Sequence, residues 1–176
     1  MGKRTNFERK ARDFYPTPFE AVAPLLPHLP ERLRFDEPCA GDGALIRHLD
    51  KHGHVCTRAT DLDPAEGDPD FGIQIRDAMT LENCFGEMFI TNPPWKWGVL
   101  KDLMPHLISI APTWLLLNAD VMHNRRMGKH MKQCAKVISI GRISWMGNGQ
   151  TGYENCAWFL FNKTYSGPTQ FVGRGE

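Results

Sequence analysis

The apolar and polar positions of this chain follow two different periods, and the changes of period predict strands separated by helices. Apolar and β-branched runs predict strands at residues 35–40, "HVCTRATDLDP", "GIQIRDAM", "EMFITNPP", "TWLLLNADVM", "KVISIGRISWM" and "ENCAWFLFNK". Apolar residues at helical spacing predict helices at "ALIRHLDKH", "VLKDLMPHLISI" and "RRMGKHMKQCA". We therefore expect an α/β fold with a mostly parallel, doubly wound sheet and a C-terminal antiparallel hairpin.

Local signals predict where the first helices begin and end. Thr17, Pro18 and Glu20 have the spacing of a capping box with proline at the first helical position, which predicts a helix start there. Gly53 follows "ALIRHLDKH" and is expected to end that helix. We expect one domain over residues 13–165, a basic tail over residues 1–12 and a frayed C-terminal tail over residues 166–176.

Composition narrows the class of protein only slightly. Twenty-one lysines and arginines against 20 aspartates and glutamates give a net charge of +1, which neither requires nor excludes a nucleic-acid partner. Five scattered cysteines without a C-x-x-C pair favour a reducing compartment, with the cytoplasm expected. No apolar run approaches the roughly 18 residues of a membrane span, so no membrane association is expected.

A group of histidines is the nearest approach to a metal site. His48, His52 and His54 lie close together in the sequence, and the first two share a helix face. No carboxylate or cysteine completes a ligand set, so we expect a solvated helix face and no metal.

The ends of the first and fourth predicted strands carry the strongest candidate chemistry. In an open α/β sheet, ligands bind at the carboxyl ends of the strands, which brings "EPCAGDG" and "TNPPW" into one crevice. Gly41 and Gly43 match half of a dinucleotide fingerprint, but Ile46 stands at the third glycine position, which disfavours NAD. Glu37 and Asp42 would repel phosphate and suit a ligand with an ammonium and a sulfonium, such as S-adenosylmethionine.

Two further acids follow strands at the same edge. Asp61 ends the second strand, where a carboxylate can accept hydrogen bonds from ribose hydroxyls. Asp77 follows the third strand and can accept from an adenine amino group. An alternative interpretation is that Asp61 and Asp63 only form a turn before Pro64.

The order of these motifs resembles a known family. "DFYPTP", "EPCAGDG", "TDLDP", "RDA", "TNPPW" and "RISWMGNGQTGYENCAWFLF" span most of the chain, from Asp13 to Phe161. In this series the chain is similar to the class I S-adenosylmethionine-dependent amino-methyltransferases of nucleic acid, most specifically the small phage and prophage DNA adenine N6-methyltransferases. The resemblance implies a Rossmann-like class I fold, a DNA substrate and a bacterial or phage-infected cell. Related enzymes carry a separate target-recognition domain, and we expect none here.

The resemblance also implies roles for particular residues. It places Tyr15 and Thr17 at the methionine end of the cofactor, with the remaining cofactor contacts at Glu37, Cys39, Gly41, Asp42, Gly43, Asp61, Leu62, Asp77, Ala78 and Asn92. A second aromatic residue on the far side of the target base is implied at Trp145 or Tyr153, although core packing is the alternative for Trp145.

The segment Asn92-Pro93-Pro94-Trp95 suits methylation of a planar amino group. Such a nitrogen is a poor nucleophile until its lone pair localises, and the Asn92 side-chain oxygen and the Pro93 carbonyl can each accept one amino hydrogen. The two prolines fix the backbone that aims this carbonyl. Trp95 offers an aromatic face for a flipped base, where the DNA enzymes of the family more often have Tyr or Phe.

Basic residues after the fifth strand are candidate phosphate contacts. Arg125, Arg126 and Lys129, with His130 and Lys132 nearby, could contact a nucleic-acid backbone or form a solvated helix face. We expect sequence recognition to come from the loop "GNGQTGY", from such basic segments, or from a homodimer or partner subunit.

Several alternatives share the same amino-group chemistry. Adenine in RNA and the side-chain amide of protein glutamine remain open, whereas cytosine is less favoured because its enzymes usually have Ser at the position of Asn92. A non-catalytic cofactor-binding subunit is the alternative from a different class, and the intact Asn92-to-Trp95 segment argues against it.

Overall fold

The computed structural model describes residues 15–64 and 72–175, and its strands alternate with short helices in the order that the sequence predicts. The helices are α1 (Phe19–Val22), α2 (Ala44–Asp50), α3 (Trp97–Ile110) and α4 (Gly128–Met131). The strands are β1 (Arg34–Glu37), β2 (Val55–Asp61), β3 (Gln74–Ile75), β4 (Met88–Thr91), β5 (Thr113–Asn118), β6 (Cys134–Gly141), β7 (Cys156–Phe161) and β8 (Gln170–Val172). The predicted basic tail, residues 1–12, lies outside the described residues.

All eight described strands form one sheet in the order β3-β2-β1-β4-β5-β7-β6-β8. β7 runs antiparallel to both of its neighbours, β5 and β6, whereas the other described pairings are parallel. The strand order steps outward from β1 in both directions, so the carboxyl ends of β1, β2 and β4 lie together at one edge. The predicted fold class and the C-terminal antiparallel hairpin are confirmed.

Helices and loops cover the sheet and bury its apolar side chains. β5 is almost continuously buried, from Thr113 to Leu117, as expected for a central strand covered on both faces. Trp158 on β7 is fully buried, and its indole nitrogen donates to the carbonyl oxygen of Ala21 at 2.7 Å. This bond joins α1 to the sheet, so the segment that leads into α1 is held against the sheet.

The predicted capping box at α1 is wrong. The helix starts at Phe19, with Pro18 as its N-cap residue, and no side chain caps its first turn. The Thr17 hydroxyl instead accepts a hydrogen bond from Asn92, and Glu20 accepts one from the backbone nitrogen of Ser144. Both side chains form long-range contacts because α1 has a single turn and packs directly on the loops that surround the site.

Two other elements differ from the sequence prediction. The C-terminal tail, predicted to be frayed, contains β8, which pairs with β6 and buries part of Val172 against the core. The segment "RRMGKHMKQCA" forms a 3-10 turn and the single-turn α4, and β6 already begins at Cys134. Pairing with β7 extends β6 toward its N-terminus and so shortens the predicted helix.

The described residues also bear on disulfides, metal ligands and membrane-spanning helices. All five cysteines are free thiols. Within residues 15–64 and 72–175, no histidines, cysteines and acids form a group that could hold a metal ion. Over the same ranges, no helix has the length and apolar character needed to cross a membrane.

Candidate active site

The ends of β1 and β4 lie side by side and bring the two main motifs together. Parallel pairing sets Phe35 opposite Met88 and Asp36 opposite Phe89, so the residues that follow each strand emerge at the same edge. The turn from Glu37 to Gly43 leaves β1 there, and the segment from Asn92 to Trp95 leaves β4 beside it. The two strand ends that were predicted to share one edge of the sheet therefore lie side by side.

The glycine turn after β1 is held by its backbone and by Asp61. Gly41 and Gly43 have φ angles of 57° and 77°, a left-handed conformation that glycine adopts without strain. The Gly41 nitrogen donates to Asp61 Oδ2 at 2.8 Å, and the Asp63 nitrogen donates to Asp61 Oδ1 at 2.8 Å. These two hydrogen bonds fix the orientation of the Asp61 carboxylate. Because each of its oxygens has a further lone pair, it can still accept a hydrogen bond from a ligand hydroxyl.

Glu37 has a buried carboxyl group, and one of its two oxygens has no hydrogen-bond partner among the described residues. It is 1% exposed, and its Oε1 accepts from the Cys39 nitrogen at 3.2 Å, whereas its Oε2 has no hydrogen-bond partner among the described residues. Burial raises the pKa of Glu37 to about 8, and the charge of Asp61 adds to the rise. The Thr91 hydroxyl lies beside this carboxyl without meeting the geometry of a hydrogen bond, and it opposes part of the rise.

Asp42 has a different environment from Glu37. Its Oδ2 pairs with the Arg47 guanidinium at 3.1 Å, and its Oδ1 accepts from the Ala44 nitrogen at 3.0 Å. The charge of Asp42 is therefore compensated inside the chain. Glu37, rather than Asp42, offers the uncompensated carboxyl in this turn.

The remaining residues assigned to the cofactor lie around the same edge. Leu62 is 69% exposed, and Asp77 accepts from the Met79 nitrogen at 2.9 Å as the cap of a 3-10 turn that begins at the buried Ala78. Burial raises the pKa of the Cys39 thiol, and the charges of Glu37, Asp61 and Asp77 add to that rise. These three carboxyl groups therefore lie in the neighbourhood of the same thiol.

Asn92 and Trp95 are each anchored to another part of the chain. Asn92 Nδ2 donates to Thr17 Oγ1 at 3.2 Å, and Pro93 between the two anchored residues is buried. The Trp95 indole nitrogen donates to the carbonyl oxygen of Leu116 at 2.9 Å. The β4–β5 ladder ends at Leu115, so the next carbonyl of β5 is free to accept this bond. No sequence signal indicated this role of Leu116, because it belongs to a backbone oxygen.

Aromatic rings from three parts of the chain meet beside Asn92. Trp95 and Trp145 lie edge to face, with ring centroids 5.5 Å apart and an interplanar angle of 80°. Tyr15 lies against Trp145 at 6.1 Å. Gly152 supports this group, because its nitrogen donates to the Ile143 carbonyl and a Cβ there would lie 3.4 Å from the Trp145 ring. Tyr153, the other candidate for a second aromatic, is 58% exposed.

A cavity of about 360 Å³ opens between the segment before α1, the glycine turn and the Trp145 loop. Its lining residues are Pro16, Thr17, Pro18, Asp42, Ala44, Arg47, His48, Trp145, Met146 and Gly147. The cavity thus lies beside the glycine turn and the Trp145 loop.

The structure divides the basic cluster into two parts. The Arg126 guanidinium lies 5.7 Å from the ring centroid of Trp97, at the start of α3 and close to the Asn92 segment. Lys129 instead lines a separate cavity of about 440 Å³ with Lys132, Lys163 and the second half of α3. Arg125 is exposed. Arg126 therefore lies near the segment that follows Trp95.

The chain matches no protein-family model and no curated protein sequence, but its fold matches solved structures. A protein of Pyrococcus horikoshii described as a candidate RNA methyltransferase matches with a TM-score of 0.65, 14% identity and 88% of each chain covered. A type I restriction-modification methyltransferase subunit of Streptococcus thermophilus matches at 0.59 and 10% identity over 90% of this chain and 47% of that one.

A third similar structure, from Listeria monocytogenes, is described as a candidate class I S-adenosylmethionine-dependent methyltransferase. It matches with a TM-score of 0.59 and 8% identity over 98% of this chain and 68% of that one. The chain spans about half the length of the restriction-modification subunit. At these identities the similarity concerns the fold alone. The chain therefore has the Rossmann-like α/β fold that these three proteins share.

Proposed function

We propose that this chain is an S-adenosylmethionine-dependent methyltransferase that methylates the exocyclic N6 amino group of adenine in DNA. The observation that carries the proposal is the position of Asn92-Pro93-Pro94-Trp95. This segment directly follows β4, and β4 pairs with β1, whose end leads into the glycine turn. Its asparagine and tryptophan are both anchored, so the acceptors for an amino group are held in place before substrate arrives.

The residues around the glycine turn fit S-adenosylmethionine. The unpartnered Glu37 Oε2 is a buried acceptor that suits the ammonium of the methionine part. Asp61 can accept from the ribose hydroxyls, and the exposed Leu62 beside it can pack on the adenine ring. Arg47 at this turn is paired with Asp42, so its positive charge is offset and does not repel a sulfonium.

The chain's own residues prepare the amino group for transfer. When bound, the cofactor supplies an electrophilic methyl group on a positively charged sulfur. Asn92 Oδ1 and the Pro93 carbonyl accept the two amino hydrogens, which draws the nitrogen toward tetrahedral geometry and localises its lone pair. A nitrogen held in this way by Asn92 and Pro93 would be able to accept the methyl group of a bound cofactor, with the electron pair of the carbon–sulfur bond left on the sulfur. The surplus proton leaves the nitrogen for solvent, so no strong general base is needed.

Two features support a nucleic-acid base as the carrier of that amino group. Trp95 holds an aromatic face beside Asn92, on which an extruded base can stack, and stacking on such a face contributes about 1–3 kcal/mol per base. Arg126 lies next to the site, where it can contact a backbone phosphate. Two of the similar structures are described as methyltransferases of RNA and of a restriction-modification system, which supports nucleic acid as the substrate class.

Adenine in RNA is the second candidate substrate. The structure described as a candidate RNA methyltransferase has the highest TM-score of the three and is covered over 88% of its length. The amino-group chemistry at Asn92 is the same for either nucleic acid, so the choice between them depends on contacts outside this segment. We propose that the loop "GNGQTGY", the basic residues, a homodimer or a partner subunit supplies those contacts.

The test is methyl transfer followed by identification of the product. Purified protein is incubated with methyl-labelled S-adenosylmethionine and, separately, with duplex DNA, single-stranded DNA and structured RNA, and the digested nucleosides are identified by mass spectrometry. N6-methyladenine from DNA is expected. Label in RNA alone would replace DNA by the second candidate. Cofactor binding without label in any of the nucleic acids would indicate a protein amide substrate or a subunit that depends on a partner.

Matched variants separate binding from chemistry. Asp61→Ala is expected to weaken S-adenosylmethionine binding, because the residue orders the glycine turn and faces the ribose position. Asn92→Ala is expected to abolish turnover while retaining most of the cofactor affinity. Full activity in Asn92→Ala would refute the mechanism.

A further inference from the structure

The Thr17 hydroxyl holds one end of the Asn92 amide. Asn92 Nδ2 donates to Thr17 Oγ1 at 3.2 Å, across 75 residues of sequence. Thr17 is 5% exposed and takes no part in capping α1. The hydroxyl therefore does not stabilise the start of α1. The hydrogen bond that the structure describes for it is the one with Asn92, the candidate catalytic asparagine.

Thr17 is well placed to serve as a fixed point. It lies between Pro16 and Pro18, whose rings fix their φ angles and limit movement of the segment. Tyr15, two residues earlier, packs on Trp145. The backbone of Thr17 also lies close to the His48 imidazole of α2. The hydroxyl thus projects from a segment that is attached to both α2 and the Trp145 loop.

The orientation of the Asn92 amide decides whether the site can accept amino hydrogens. The terminal amide torsion of asparagine has two broad wells, which exchange the positions of oxygen and nitrogen. With Nδ2 bound to Thr17, Oδ1 takes the other position and is free to accept. In the reversed orientation the NH₂ group would face the amino hydrogens of the substrate, donor against donor, and activation of the nitrogen would fail.

We propose that Thr17 is a positioning residue of the methyl-transfer reaction, whose hydroxyl accepts from Asn92 Nδ2 and so holds this side chain with Oδ1 free for the substrate amine. This inference rests on the proposed function, since it takes Asn92 as the amino-group acceptor. It differs from the role at the methionine end that the family resemblance implies for Thr17, because it acts on Asn92 and leaves cofactor affinity unchanged.

Thr17→Val and Thr17→Ser form a matched pair for the test. Valine keeps the shape and removes the hydroxyl, whereas serine keeps the hydroxyl and removes the methyl group. We expect Thr17→Val to lower kcat by about 10- to 100-fold, the range for one preorganised hydrogen bond, with the KM for nucleic acid and the Kd for S-adenosylmethionine nearly unchanged. Thr17→Ser is expected to restore most of the lost kcat. On the Asn92→Ala background, Thr17→Val should have no further effect.

Three results would overturn the proposal. A loss of cofactor affinity in Thr17→Val that matches the loss of turnover would make Thr17 a cofactor contact. Equal defects in the valine and serine variants would assign the effect to packing of the methyl group. Wild-type kcat in Thr17→Val would remove the role altogether.

A second readout is independent of any substrate. The two Asn92 side-chain NH₂ protons, assigned by NMR from their loss in Asn92→Asp, should exchange slowly with solvent in wild type and Thr17→Ser and faster in Thr17→Val. Equal exchange rates in all three proteins would refute the hydrogen bond itself. If wild type methylates no nucleic acid but the exchange difference is found, the proposed function fails while the Thr17–Asn92 contact stands.

Discussion

Trp95 and Trp145 lie edge to face, with their ring centroids 5.5 Å apart, so a base cannot lie between them in this arrangement. Bases stack at about 3.4 Å, and a base stacked between two parallel rings therefore needs about 7 Å. Trp145 belongs to the loop between β6 and β7, which is closed by the bond from the Gly152 nitrogen to the Ile143 carbonyl. A base held between the two rings would therefore require Trp145 to turn or shift.

We predict that Trp145 then forms the second face of the base. Trp145→Ala should raise the KM for nucleic acid roughly tenfold, because a stacking face contributes about 1–3 kcal/mol per base. Trp145→Phe should stay close to wild type, and the Kd for S-adenosylmethionine should not change in either variant. Steady-state kinetics and cofactor titration measure these effects. A lower KM in Trp145→Ala would show that Trp145 only obstructs the site.

The bond from the Trp95 indole to the Leu116 carbonyl explains why tryptophan suits this position. Trp95→Phe keeps an aromatic face but leaves that carbonyl without its donor. We expect the free energy of unfolding to fall by about 1–3 kcal/mol, the usual cost of an unsatisfied buried group, and kcat to fall because the ring is no longer fixed. Urea unfolding of Trp97→Phe is the control, since the described contacts of Trp97 include no indole hydrogen bond. An equal loss in both variants would contradict the prediction.

Asp36 and Arg58 form a buried ion pair at 2.8 Å that joins β1 to β2. Asp36 also accepts from the nitrogens of Phe85 and Gly86, at 3.0 and 3.1 Å. Arg58→Met should lower the free energy of unfolding by about 3–5 kcal/mol, because it leaves a buried carboxylate without its cation.

Arg47→Met is the matched control for this ion pair. Arg47 pairs with Asp42, but both side chains are partly exposed, so the loss should be no more than about 1 kcal/mol. Urea unfolding curves of the two variants give the comparison. Similar losses of unfolding free energy in the two variants would mean that burial does not determine how much the Asp36–Arg58 pair contributes to stability.

Glu37 makes stability depend on pH in a defined direction. Its pKa is raised from 4.5 to about 8, so between these values the folded state binds more protons than the unfolded state. The contribution of Glu37 is therefore fully present below about pH 4.5 and is lost as the pH rises toward 8. Thermal unfolding at pH 5, 6, 7 and 8 should show a smaller decline in Glu37→Gln than in wild type. Parallel curves would contradict the raised pKa.

The sequence alone determined the order of strands and helices and the edge at which the motifs meet. Those features follow from local periodicity and from the rule that ligands bind at the carboxyl ends of parallel strands. The same reasoning placed the glycine turn and Asn92 at neighbouring strand ends, and β1 and β4 are indeed paired. The amino-group chemistry proposed for Asn92 could also be predicted from the local sequence, because the two prolines that follow it restrict the backbone in any fold.

The tertiary structure decided which partner each of these side chains has. Thr17 has the local pattern of a helix cap, yet its hydroxyl binds Asn92, 75 residues away. Trp95 donates to a carbonyl of β5, and the segment predicted to be a frayed tail becomes β8 through pairing with β6. Such choices depend on which groups the folded chain brings within hydrogen-bond distance. A hydroxyl or an indole has the same local signature whichever distant acceptor it finds, so only the fold selects the partner.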